Sequence, residues 1–175
     1  MLVQQTIKLL HKEKLPSIFL KLDISKAFDS VSWPFHLETL SHLGFGPSWR
    51  NMISNLLRYA STRVLVNGQP GDEIHHQCGL RQGDPLSPML FILVMDVFKH
   101  KFTKAGSLGL LHPLANRNAE KRISLYVDDV ALFIRSMEDE MNLTVKILNK
   151  CGEALGLFTN LQKRCAIPSD VYNKS

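Results

Sequence analysis

The chain has 175 residues, 45% of them hydrophobic, which is enough to build the core of a single domain and argues against disorder. Its 21 Lys and Arg against 16 Asp and Glu give a formal charge of +5, which suits a polyanionic partner without establishing one. The three cysteines, Cys78, Cys151 and Cys165, have no CxxC spacing, which argues against a disulfide framework or a zinc site and indicates reduced thiols.

The sequence shows no membrane or export signal. The longest apolar stretch, Met89 to Phe98, is interrupted by Asp96 and is shorter than the roughly 20 residues that cross a bilayer. We therefore expect an intracellular protein, nuclear or cytoplasmic, without a membrane partner. No repeat or linker marks a boundary, so we expect one domain over residues 1–175.

The first half of the chain alternates helical and strand patterns. Residues 2–10 have helical spacing, and residues 17–22 alternate like a strand that ends in Asp23. Ser32 and Pro34 predict the start of a helix that runs to Leu43 and is stopped by Gly44 and Gly46. A further helix is predicted over residues 49–59.

The middle of the chain predicts a hairpin and then a buried helix. Strands over 62–66 and 73–76 flank Asn67-Gly68, and this loop looks too long for the simplest two-residue turn. Ser87 and Pro88 open a helix to Phe102 that is apolar on nearly every face, which predicts burial. Residues 106–121 are typical of a loop.

Near the C-terminus, two apolar runs over 123–126 and 130–134 predict a second hairpin. Ser136 and Asp139 resemble a capping box that opens an amphipathic helix ended by Gly156. Four of its apolar side chains are expected to face a sheet: Met141, Val145, Leu148 and Leu155. The fold class predicted from these elements is α+β, a small antiparallel sheet with helices packed on one face.

The tip of the second hairpin carries adjacent carboxylates, Asp128 and Asp129, and Asp23 ends an early strand. Two like charges about 4 Å apart repel by about 4 kcal/mol at an effective dielectric near 20, so three clustered carboxylates would need cations. Their hard oxygen ligands favour Mg²⁺ or Mn²⁺. A turn on Val127 and an Asp would be strained, as functional sites often are. Alternatively, the aspartates are ordinary solvated turn residues.

A second informative segment, Gly79 to Pro88, is a glycine-bearing turn that leads into the buried helix. Such a turn lets backbone approach a ligand closely, and Arg81 offers a planar fork to phosphate. Gly, Pro and Ser are equally typical of a capped helix start, so a purely structural role stays open.

Three segments in this order resemble the palm motifs of reverse transcriptases. The first two are most similar to LINE-type (non-LTR) retrotransposons, of the kind abundant in plants. The resemblance extends from about Leu2 to Lys163 and rests on Lys21, Asp23, Lys26, Ala27, Phe28 and Asp29, then Gly79 to Pro88, then Tyr126 to Asp129. The order of the motifs makes the resemblance specific, because a Tyr and two Asp in a hairpin are common by chance.

The resemblance implies an RNA-directed DNA polymerase with two Mg²⁺ ions, or Mn²⁺, and with RNA template, DNA primer and dNTP as partners. Asp23 and Asp128 would be the principal metal ligands, with Asp129 and the Ile24 carbonyl assisting. The metals would activate the primer 3′-hydroxyl and neutralise the triphosphate. Lys163, in a further motif that includes residues 154–157 and Asn160, would protonate pyrophosphate.

The same resemblance implies a nucleotide site. Phe28 matches the aromatic position that excludes a ribose 2′-hydroxyl, although a core Phe is the alternative. The other residues expected to contact the nucleotide are Lys26, Ala27, Arg81, Gln82 and Gly83. No role follows for Asp29 beyond a turn or helix cap.

The resemblance also implies a partial domain, a palm with most of the fingers and all of the thumb absent. We therefore expect weak or no processive activity from this chain alone, since much of the orientation of the substrates would be lost. The alternative function is a catalytically silent retroelement remnant that acts as a basic nucleic-acid-binding or interaction module. A metal-dependent nuclease is a more distant alternative, and the sequence does not fix the oligomeric state.

Overall fold

The computed structural model describes residues 2–12, 16–114, 122–126, 129–159 and 165–168. The helices and strands follow in chain order as α1 (Leu2–Lys12), β1 (Ser17–Asp23), α2 (Trp33–His42), α3 (Pro47–Arg58), β2 (Ser61–Val66), β3 (Gln69–His75), α4 (Ser87–Ser107), β4 (Ile123–Tyr126), β5 (Asp129–Arg135), α5 (Glu138–Leu155) and β6 (Cys165–Pro168). None of the helices in these ranges is long and apolar enough to cross a membrane.

Four strands form one antiparallel sheet in the order β4-β5-β1-β6. β1 and β5 pair along their whole length, from Ser17 opposite Arg135 to Asp23 opposite Asp129. The predicted α+β class and the second hairpin are confirmed. β6 was not predicted, because four residues ending in a proline are too short to display an alternating pattern.

The main core fills one face of this sheet. Leu22, Val130 and Leu132 are buried there against α4 and α5. Phe98 of α4 and Leu148 of α5 are 0% and 3% exposed, so both helices cover this face closely. Sheet burial of this kind is the dominant favourable contribution to folding.

The opposite face of the sheet is covered by α1 over only part of its length. Ile7 and Leu10 pack with Phe19 of β1 and Phe133 of β5 in a separate small cluster. Because side chains alternate along a strand, residues two and four positions beyond Phe19 share this face. These are Lys21 and Asp23, so the face carries an apolar half under α1 and a polar half beyond it.

The hairpin of β2 and β3 corrects the predicted loop length. Its turn is the two-residue Asn67-Gly68, with φ angles of +52° and +79°, and β3 begins directly at Gln69. Two positive φ angles are what the common type I′ hairpin turn requires. The prediction was wrong because Pro and Gly are uncommon inside strands, so Pro70 and Gly71 hid the start of β3 in the sequence. An exposed two-stranded ribbon tolerates both residues.

The helix α4 is longer and less buried than predicted. The helix continues to Ser107 rather than ending at Phe102, and Met89 and Ile92 are each 64% exposed. An apolar pattern all round a helix therefore overstates its burial here. The helix α3 also differs slightly from prediction, since it begins at Pro47, two residues before its predicted start.

The start and the buried face of α5 also differ from prediction. Its N-cap is Met137, with no side-chain capping hydrogen bond, so the predicted capping box of Ser136 and Asp139 is wrong. Met141 and Val145 are 43% and 40% exposed rather than facing the sheet. The buried face instead includes a charged residue, which masks the helical period: it comprises Glu140, Thr144, Leu148, Cys151, Gly152 and Leu155. Gly156 ends the helix in the left-handed conformation, as predicted.

Candidate active site

Two of the predicted acidic residues meet at the polar half of the sheet. Asp23, the last residue of β1, lies directly opposite Asp129, the first residue of β5. The Cβ atoms of such cross-strand pairs are about 4.5–5.5 Å apart and their side chains share one face. Tyr126 pairs with Asp129 on its other side, so the hairpin of β4 and β5 carries the second carboxylate to the end of β1.

A lysine that the sequence interpretation did not assign to the site is also present. The Nζ atom of Lys21 lies 3.2 Å from a carboxylate oxygen of Asp129, and the two side chains are 54% and 47% exposed. Lys21 precedes Asp23 by two residues, so the strand period alone places it on the same face. That period was the signal available in the sequence.

The two described carboxylates, Asp23 and Asp129, offer oxygen donors on one face of the sheet, and oxygen donors are the ligands that divalent cations such as Mg²⁺ prefer. In this structure the Lys21 ammonium pairs with Asp129. The described ranges contain no cluster of three or more metal-ligating side chains. The predicted strained turn at Val127 and the predicted ligand Asp128 lie outside the described residues.

The segment that leaves β1 is held by the chain after α5. Ile24 is 3% exposed and forms an isolated bridge with Thr159, and the Ser25 N–H donates to the Phe158 carbonyl over 2.9 Å. Lys26 then adopts a φ of +49°, which is uncommon for a residue other than glycine. The Lys26 carbonyl accepts the Ser30 N–H over 3.0 Å, which closes this turn of the backbone.

Two glycines, Gly79 and Gly156, pack closely against the backbone of the same segment. Gly79 has a φ of +86°, its N–H donates to the Val31 carbonyl over 2.8 Å, and a Cβ placed on it would lie 2.5 Å from the Asp29 carbonyl oxygen. A Cβ on Gly156 would overlap the Ser30 carbonyl oxygen. The backbone of Asp29 therefore serves as the packing surface for Gly79, a role that no pattern in the sequence indicates.

Phe28 and Ala27 anchor the segment to the core. The Phe28 ring stacks on Phe91 of α4 with 4.5 Å between ring centroids, and Ala27 is 6% exposed. Phe28 itself is only partly buried and packs against the rim of the main core. Both sequence alternatives for Phe28 are thus compatible with its position, since one face of its ring packs on Phe91 while the residue keeps some exposure.

One backbone hydrogen bond links Phe28 to the loop that carries the other residues predicted to contact a nucleotide. The Leu80 N–H donates to the Phe28 carbonyl over 2.6 Å, and the three residues after Leu80 are exposed. Arg81 Nη2 donates to the Ser61 carbonyl over 3.2 Å, and Gly83 adopts a φ of +90° in open space. A cleft of about 490 Å³ adjoins this loop and is lined in part by Asp29, Thr62, His76, Arg81 and Gln82.

Two cysteines and a histidine near the candidate site or in the core have simple environments. Cys78 and Cys151 are free thiols, one exposed and one buried. His76 is held by a 2.7 Å hydrogen bond between its Nε2 and the Thr62 hydroxyl. The predicted proton donor Lys163 and its neighbour Asn160 lie outside the described residues.

Comparison with known proteins agrees with this geometry. Residues 2–171 match the family described as reverse transcriptase (RNA-dependent DNA polymerase). The chain is 33% identical over 156 residues to the Retrovirus-related Pol polyprotein from type-2 retrotransposable element R2DM of Drosophila melanogaster, covering 87% of this chain and 14% of that protein. It is 40% identical over 75 residues to the polyprotein from type-1 retrotransposable element R2 of Popillia japonica, covering 43% and 12% of the two chains.

Among solved structures, the fold is similar to telomerase from Candida tropicalis in complex with a fragment of telomeric RNA. The TM-score is 0.70 at 14% sequence identity, and the similarity covers 97% of this chain and 29% of that one. This likeness supports the polymerase palm fold. The chain spans only 12–14% of the length of the two retroelement proteins. The expected plant-like origin stays a prediction. With a family match over nearly its whole length and R2 retroelement proteins among its relatives, the chain belongs to the reverse transcriptase family, of the LINE type.

Proposed function

We propose that this chain is the palm, and thus a partial domain, of an RNA-directed DNA polymerase that joins a deoxynucleotide to a primer 3′-hydroxyl on an RNA template. The observation that carries the proposal is the pairing of Asp23 with Asp129 on the half of the sheet that α1 leaves uncovered. The opposite face is filled by α4 and α5, so a nucleic-acid duplex would approach the carboxylates from the uncovered side.

The proposed metal site uses Asp23, Asp128, Asp129 and the Ile24 carbonyl. When bound there, two Mg²⁺ ions would lower the pKa of the primer hydroxyl and neutralise charge on the triphosphate. The β1 and β5 ends hold two of the carboxylates in adjacent strands, so little reorganisation is needed to present their oxygens together. Lys21, whose Nζ lies 3.2 Å from Asp129, would offset the charge of that carboxylate while no metal ion is bound.

The proposed nucleotide site lies along the segment after β1. Backbone N–H groups near Lys26, Ala27 and Phe28 would meet the phosphates, and Gln82 and Gly83 would contact the nucleotide, with Arg81 nearby. The 2.6 Å hydrogen bond between Leu80 and Phe28 supports this grouping because it couples the two segments. The Phe28 ring, fixed against Phe91, would exclude the ribose 2′-hydroxyl, and Lys163 would protonate departing pyrophosphate.

Incorporation of a single labelled dTTP on a poly(rA) template with a DNA primer tests the proposal, at protein excess and with Mg²⁺ or Mn²⁺. We expect slow incorporation that is lost in Asp23→Ala and Asp128→Ala. Asp96→Ala removes an exposed carboxylate from α4 and serves as the matched control, which should keep the activity.

Three results would contradict the proposal. Incorporation that persists in both aspartate variants would remove the assigned metal ligands. A primer that shortens without added nucleotide would indicate a nuclease. Salt-sensitive RNA binding without any incorporation would favour the silent, basic nucleic-acid-binding module.

A further inference from the structure

A groove runs between α4 and α5 on the side of the molecule away from Asp23 and Asp129. Its volume is about 370 Å³ and its walls are almost entirely apolar. The two long helices supply most of the lining, and Phe35 of α2 contributes at one margin. The apolar lining of the two helices includes Val97 and Ala105 of α4 and Leu143, Ile147 and Ala154 of α5.

The lining residues have the same spacing on both helices. On α4 they begin at Val97 and continue at the fourth, seventh and eighth positions after it, and Leu108, the residue directly after the helix, adds the eleventh. On α5 they begin at Leu143 and follow the same spacing to Ala154, with Leu155 added. This spacing defines one face of a helix, so one face of α4 and one face of α5 form the two walls of the groove.

The charge along the groove has a single sign. The charged lining residues are Lys101 and Lys104 of α4 and Lys150 of α5, all exposed, and no acidic side chain from the described part of the chain lines the groove. The Cys151 thiol in the wall stays neutral, since burial raises its pKa to about 11. An apolar floor with lysines at both margins is complementary to an apolar stripe with acidic residues on both sides.

We propose that this groove binds an amphipathic α-helix whose apolar stripe is flanked by Asp and Glu. The apolar stripe lies on the floor between Val97 and Ile147, and the acidic flanks meet Lys101, Lys104 and Lys150. The site is separate from the polymerase proposal, because α4 and α5 lie across the sheet from the carboxylates. The helical partner and a nucleic acid therefore occupy opposite faces and bind together.

The test uses two labelled helical peptides of about 18 residues, roughly five turns, with one identical apolar stripe. One peptide carries Glu at the flanking positions and the other carries Lys. Fluorescence anisotropy with the 175-residue chain should show binding of the Glu peptide and not of the Lys peptide. The double variant Lys101→Glu with Lys150→Glu should weaken the Glu peptide by about tenfold or more, since like charges then face each other.

The chain offers a matched control for charge. Lys99 and Lys146 are exposed lysines on the same two helices, and neither lines the groove. Lys99→Glu with Lys146→Glu changes the net charge equally, and the affinity should stay within about twofold. Ala154→Trp fills the groove from an exposed position without touching the core, and it should abolish binding while thermal unfolding remains that of the parent chain.

Several results would overturn the proposal. Equal losses in the two lysine pairs would mean nonspecific charge attraction, and unchanged affinity in Ala154→Trp would place the peptide elsewhere. Displacement of the Glu peptide by phosphatidylserine vesicles, with loss of vesicle binding in Ala154→Trp, would assign the groove to a membrane surface. A concentration-dependent dimer that Ala154→Trp dissociates would assign the groove to a second copy of the chain.

Discussion

Gly79 shows how a single residue without a side chain sets the path of the backbone beside the carboxylates. It combines a positive φ of +86° with close backbone contact to Asp29, and its carbonyl accepts the Trp33 indole N–H over 2.6 Å. Gly83, four residues later, has a similar φ of +90° but open space where a Cβ would lie. Substituting each of these two glycines therefore separates the free-energy cost of a positive φ from the cost of a steric clash with the Asp29 backbone.

We predict that Gly79→Ala lowers the free energy of unfolding by about 3–5 kcal/mol, and Gly83→Ala by only about 1–2 kcal/mol. The smaller value is the cost of a left-handed conformation for an L-residue, and the excess comes from displacing the Asp29 backbone. Urea unfolding followed by circular dichroism measures both values. Equal losses in the two variants would show that the contact with Asp29 contributes nothing.

The buried residue His36 of α2 leads us to predict that the stability of the fold depends on pH. The residue is 0% exposed, neither ring nitrogen has a hydrogen-bond partner among the described residues, and burial lowers its pKa from 6.5 to about 4. Between pH 6.5 and 4 the unfolded chain binds the proton more readily than the folded chain. Its contribution to stability is therefore present above pH 6.5 and is lost as the pH falls toward 4, by about 3 kcal/mol in total.

His36→Phe removes this titration, so we predict that its unfolding free energy falls less than that of the parent chain between pH 7 and pH 4.5. Urea midpoints across this pH range provide the comparison. His100→Phe replaces an exposed histidine of α4 and serves as the control for the substitution itself. A parent-like slope in His36→Phe would place the responsible proton on another group.

At the scale of elements, the start of α5 is fixed by a buried charge rather than by a cap. Glu140 is 1% exposed, and its carboxylate accepts the backbone N–H of Arg135 over 2.9 Å and that of His112. The Arg122 guanidinium lies 3.5 Å away and is also buried. One carboxylate thus joins the segment after α4, the residue directly before β4, the end of β5 and the first turn of α5.

We predict that Glu140→Gln destabilises the fold by about 3 kcal/mol, because it leaves Arg122 buried without its counter-charge. Glu138→Gln removes an exposed carboxylate from the same first turn and should change the stability by less than about 0.5 kcal/mol. Chemical unfolding of the two variants checks the difference. A stability equal to the parent chain in Glu140→Gln would show that the amide replaces the carboxylate fully.

The same residue explains why part of α5 was mispredicted. A sequence pattern treats Glu140 and Thr144 as polar and assigns the buried face to Met141 and Val145, whereas tertiary contacts bury the first pair and expose the second. Helices and strands that contain no buried charge, such as β1 and β5, follow their patterns closely. Where burial depends on a partner distant in the chain, local periodicity carries no information about it.

At the scale of the whole molecule, the antiparallel pairing of β1 with β5 connects segments more than one hundred residues apart. The sequence predicts both strands and also predicts that Asp23 and Asp129 converge, because Asp23 directly follows one apolar run and Asp129 directly precedes another. It does not predict β6, the partial cover by α1 or the ion pair of Lys21, which arise only once the sheet is assembled. The role of the carboxylates as metal ligands stays a prediction.

Binding of Mn²⁺ to the chain, followed by electron paramagnetic resonance with Mg²⁺ as competitor, tests that role most directly. We predict that Asp23→Asn and Asp129→Asn each weaken Mn²⁺ binding by about tenfold or more, while Asp96→Asn, with an exposed carboxylate on α4, binds like the parent chain. Thermal unfolding of all three variants confirms that each is folded. Mn²⁺ affinity that is unchanged in both Asp23→Asn and Asp129→Asn would contradict a divalent metal site at the paired strand ends.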